Sequence, residues 1–111
     1  MTIEEAANQL GWECLAGVDG TGNQVTGCYV GDLLSWVMSR AQSGDLFVTV
    51  MGNVNAVAVA VLTDAAGIVL TDGAALDDDA RRRANQQGMP IYASGVNSYE
   101  TAVAIARQVL K

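Results

Sequence analysis

Residues 27–73 read GCYVGDLLSWVMSRAQSGDLFVTVMGNVNAVAVAVLTDAAGIVLTDG, with large apolar residues held between glycine and acid punctuation. Asp32 is placed to cap a helix whose apolar face is Leu33, Leu34, Trp36, Val37, Met38 and Ala41, ended by Ser43-Gly44. Asp45 then opens a strand, Leu46 to Met51. Asn53 to Leu62 alternates Ala and Val as a strand would, yet it is apolar at both parities. Its length, its polar Gly52-Asn53 start and the clear strand after it, Gly67 to Thr71, favour a helix. Strand, helix, strand is a crossover, right-handed if the strands are parallel.

Upstream, Thr2 and Glu5 have the spacing of a capping box, and Ile3, Ala6, Ala7 and Leu10 continue as a short helix that Gly11 stops. Trp12 to Ala16 and Gln24 to Val30 read as strands around a solvated, glycine-rich turn, Gly17 to Gly22. Downstream, Asp77, Asp78 and Asp79 precede Arg81, Arg82 and Arg83, so each acid has an Arg four residues on, along an exposed helix with a Leu76, Ala80, Ala84 stripe. Met89 to Ala93 is a last strand. Asn97 or Ser98 caps a final helix whose Ala102, Val103, Ile105, Ala106, Val109 and Leu110 are expected inward. The fold expected is a single α/β domain over residues 1–111, three layers with a mainly parallel sheet and helices on both faces, the N-terminal helix and strands completing one edge.

Composition narrows function. Twelve acids against six bases, a net charge of −6, disfavour binding to nucleic acid or an anionic membrane. The acidic N-terminus is unlike a signal peptide, and no run approaches the roughly 18 apolar residues of a membrane span, so a cytoplasmic location is expected. Without histidine, and with only Cys14 and Cys28, the chain offers no ordinary zinc site and no Ser-His or Cys-His catalysis; reduced, buried cysteines are expected. Lys111 is the sole lysine and the last residue, which excludes a Walker-type phosphate loop. No catalytic constellation, metal or cofactor is therefore expected. An enzyme would have to draw on Asp32, Asp72 or Cys28.

Two surfaces remain. Carboxyl ends of parallel strands form crevices in open α/β sheets, which makes Gly52, Asn53, Thr71, Asp72, Gly73, Ser94, Gly95, Asn97 and Ser98 candidates for an anionic metabolite or nucleotide. The apolar helices supply candidate interface residues Leu33, Trp36, Val37, Val57, Val59 and Val61, because a helix apolar all round needs cover on its second face. A symmetric homodimer follows as the expectation.

Gly31-Asp32-Leu33-Leu34-Ser35, Gly44-Asp45, the run Asn55 to Ala60 and Gly88-Met89-Pro90-Ile91 occur in the order seen in stand-alone DRTGG-domain proteins, which the whole chain resembles. The Asp-Arg-Thr-Gly-Gly of the name is absent; its region corresponds to Asn23-Gln24-Val25-Thr26-Gly27, without the acid and the Arg. The resemblance implies an α/β domain similar to the N-terminal domain of HPr kinases. Such domains also occur fused to phosphotransacetylases and between the regulatory domains of certain pyrophosphatases, as accessory or dimerising units. Residues and resemblance together lead to a non-enzymatic regulatory or protein-interaction module, homodimeric, with a small-molecule sensor as the alternative.

Overall fold

In the computed structural model, which describes residues 1–111, the strand β3 (Asp45–Thr49) is buried at every position. Apolar on both faces, it takes the interior of the sheet, as its composition requires. Three strands run parallel to it: β2 (Gly27–Val30), β4 (Gly67–Leu70) and β5 (Ile91–Ala93), while β1 (Glu13–Ala16) pairs antiparallel with β5. The order is β1-β5-β4-β3-β2. The two N-terminal strands therefore lie at opposite edges, not together at one. Cys14 faces Tyr92 at one edge and Cys28 faces Leu46 at the other; both are free thiols, but Cys14 is exposed and not buried as expected, because β1 is the outer strand on its side of the sheet.

Five helices cover the two faces. The helices α2 (Leu34–Arg40), α3 (Val54–Leu62) and α4 (Asp78–Gln87) close one core with Phe47, Ile68, Leu70 and Ile91. On the other face α1 (Ile3–Leu10) and α5 (Ser98–Gln108) close a second with Leu46, Val48, Val69 and Tyr92. Period-two alternation along each strand divides its side chains between these cores. Each fully buried Leu, Ile, Val or Phe contributes roughly 1.5–3 kcal/mol by leaving water. No helix is long and apolar enough to cross a membrane.

Local signals hold where a single turn decides them. The Thr2 hydroxyl accepts from Glu5 N at 3.2 Å while the Glu5 carboxylate accepts from Thr2 N at 2.8 Å, and that second bond, helped by the Thr2 hydroxyl, holds the Glu5 carboxyl below its usual pKa. Asn53 caps α3, a helix as its length suggested, and Asn97 caps α5. Elsewhere packing overrides. Glycines 17 and 20 are buried, not solvated: the Asn85 amide oxygen accepts from Gly17 N at 2.8 Å, and the turn between them is a short 3-10 helix, Val18–Gly20. Asp79 pairs with Arg82, three residues on, and Arg81 donates to the Leu15 carbonyl at 2.7 Å, so the three i, i+4 ion pairs are not formed. On α5 only Thr101 and Ile105 are buried; Ala106 and Leu110 face solvent, because α5 covers the sheet with a narrow stripe.

Candidate functional site

The carboxyl pole of the sheet gathers all nine candidate ligand residues, in two groups. Thr71 follows β4 and Ser98 opens α5; their hydroxyls lie 2.7 Å apart. Thr101 donates to Ser94 at 2.9 Å, and Asp72 N donates to the Val96 carbonyl at 2.9 Å, so Ser94 to Ser98 folds over the end of β4. Gly52 and Asn53 turn instead toward the approach to α4: Gly52 backs onto the Ala75 carbonyl and accepts from Asp77 N at 2.8 Å. Asn53 spends its side-chain oxygen on Ala56 N. Asp72 and Gly73 are exposed at the rim, both with positive φ. The polar groups of this pole hydrogen-bond chiefly to one another.

Asp32 belongs to the same pole, in a role other than the one its position suggested. The helix begins after Leu33, which supplies no side-chain cap, while the Asp32 carboxylate accepts from Thr49 Oγ1 at 2.8 Å and Val50 N at 2.9 Å. The acid ties the β2 end to the β3 end. Thr49 and Thr101 went unread because a buried hydroxyl ending a strand or backing a helix looks like ordinary filler until its partner is known.

Cavities lie elsewhere. The largest by volume, about 420 Å³, sits at the opposite pole and is lined by Asn23, Gln24, Thr26, Ser43, Gly44 and Asp64, among others. Asn23 donates to the Ala66 carbonyl at 3.1 Å, Thr26 to the Ser43 carbonyl at 3.3 Å, and Ser43 to the Asp64 carboxylate at 2.5 Å. Its one charged lining residue is an acid, which does not suit an anion. Two smaller hollows, about 240 and 280 Å³, lie along α3 and α4, where Arg83 borders both.

The candidate interface residues divide. Val37 and Val57 are 0% and 1% exposed, part of this chain's own core and out of reach of another molecule. Val59 and Val61 are half-buried against the same core, since α2 and α4 flank α3 and cover most of its second face. Leu33 and Trp36 are 58% and 52% exposed. With Arg40, whose guanidinium lies 3.6 Å above the Trp36 ring, they form one flank of α2 at i, i+3 and i+7 spacing.

The DRTGG domain family model matches residues 5–108, nearly the whole chain. No curated protein matches it.

Proposed function

The chain belongs to the DRTGG domain family, a family of regulatory-type domains, and on that premise we propose that it is a non-enzymatic protein-interaction module that works as a homodimer. The observation that carries the reading is the exposed Leu33–Trp36 flank of α2 beside the outer strand β2, where Val30 is also exposed. Two large apolar side chains held in water at the start of a seven-residue helix have no polar group to desolvate, and their burial would offset part of the entropy cost of association. Segments 23–44 carry only Asp32 and Arg40 as charges, so this is the neutral side of a chain of net charge −6. Repulsion between copies is least there.

Native mass spectrometry of gently purified protein tests the reading. Dimers of bare chains support it. Single chains at tens of micromolar count against it, and single chains carrying a few hundred extra daltons would favour a small-molecule sensor.

A further inference from the structure

The two edges of the sheet are not equally defended. At β1 the register slips between Cys14 and Ala16, Glu13 supplies a charge, and the Arg81 guanidinium occupies the Leu15 carbonyl. Those are devices that keep an edge from pairing. The β2 edge, Gly27-Cys28-Tyr29-Val30, has no charge, no proline and an unbroken register with β3. Its free side is unpaired.

We infer that a second copy of this chain docks on the outer edge of β2, antiparallel about a two-fold axis normal to the sheet, to make one ten-stranded sheet; this rests on the homodimer reading and names its contact. A right-handed β2-α2-β3 crossover lays α2 over the β2/β3 pair, antiparallel to it. Each helical residue advances about 100°, so with Val37 directed into the core, Trp36 turns toward the β2 side. Strands about 4.8 Å apart then set the two α2 helices about 10 Å apart on one face, the spacing of packed helices, with Leu33 and Trp36 of each copy between them.

Charge agrees with the same symmetry. Antiparallel α2 helices bring Arg40, in the last turn of one, toward Asp32, just before the first turn of the other. A two-fold pairing of parallel strands would turn one copy over and put the two α2 helices on opposite faces of the sheet, where neither the charge pair nor the Trp36 contact forms. The edge is self-complementary only in the antiparallel sense, which selects a second copy over an unrelated strand.

The test combines subunit count with distance. Ser35, exposed on α2, is replaced by cysteine in a Cys14→Ser background and spin-labelled, and the paired-label distance is measured beside native mass spectrometry. The expected result is a dimer with labels about 20 Å apart, and a folded monomer when Trp36→Glu is added. A dimer with labels near 40 Å, as pairing through β1 would give across the width of both sheets, overturns the β2 contact while leaving the homodimer intact. So does a dimer that survives Trp36→Glu. A wild-type chain that stays monomeric, with or without another polypeptide bound, overturns both.

Discussion

The Thr49 hydroxyl, buried at the end of β3, donates to the exposed Asp32 carboxylate at 2.8 Å and closes the carboxyl end of the sheet between the edge strand β2 and its neighbour β3. Because Val50 N donates to the same carboxylate oxygen, Asp32→Ala strands a buried hydroxyl and frees a backbone donor at once. The cost expected is about 2 kcal/mol in urea unfolding. Thr49→Val should cost less, and the double variant should cost clearly less than the two singles combined. Strict additivity would mean that the pair is not coupled in solution.

Val57 and Leu33 were equal candidates for an interface, and the structure separates them. Val57→Asp buries an unpaired carboxylate among Ala56, Ala60, Phe47 and Ile68, and is expected to unfold the chain at 25 °C or to lower its stability by several kcal/mol. Leu33 lies in water in the single chain, so at dilutions where the parent is monomeric Leu33→Asp should keep the far-UV spectrum and a stability within about 0.5 kcal/mol of the parent. Thermal unfolding of both variants decides the matter; equal losses would contradict the burial described.

That contrast shows where the sequence was legible. Caps and stops were readable because each is a local bond: Thr2 with Glu5, Asn53 with Ala56 N, Gly11 in the left-handed region. The alternation from Asp45 onward gave the parallel core, since only a doubly covered strand needs Leu46-Phe47-Val48 in a row. The rotation of α2 was not readable, as six of the nine residues Leu33 to Ala41 are apolar and any of several faces could have been inward. Nor was the site: Asp32 is as good a helix cap as it is a cross-strand acceptor, and the choice depends on Thr49, seventeen residues away. The sheet edges were hidden for the same reason, because β1 finds its partner about eighty residues downstream.

Gly17 offers a test of the turn that proved buried. Its φ is +72°, and a Cβ there would be driven into the Met89 carbonyl, a backbone group that cannot step aside. Gly11 has nearly the same φ, +73°, with nothing within 4 Å. Gly11→Ala should therefore cost about 1 kcal/mol, the left-handed penalty alone. Gly17→Ala should cost several kcal/mol or prevent folding. Comparable midpoints for the two variants in urea would show that the backbone at Met89 yields easily to a side chain at position 17.

Two groups make stability depend on alkaline pH. Burial, reinforced by the Asp45 charge, pushes the Cys28 thiol up to about 11, and burial, with Cys14 and Glu4 adding to it, pushes the Tyr92 phenol up to about 12. Both groups keep their protons in the folded chain at a pH where the unfolded chain has released them. The unfolded state then binds fewer protons, so the stability they contribute is complete below about pH 9 and is lost as pH rises toward 11 and beyond. Urea midpoints at pH 7.5, 9 and 10.5 should show a plateau followed by a fall, and Cys28→Ala should flatten the first part of that fall. The same burial makes Cys28 a slow thiol: iodoacetamide at pH 8 should mark the exposed Cys14 well before it reaches Cys28. A midpoint that stays level through pH 10.5, or a Cys28 that is alkylated as fast as Cys14, would mean that the thiol lies open to solvent and is not packed against the core that α1 and α5 close.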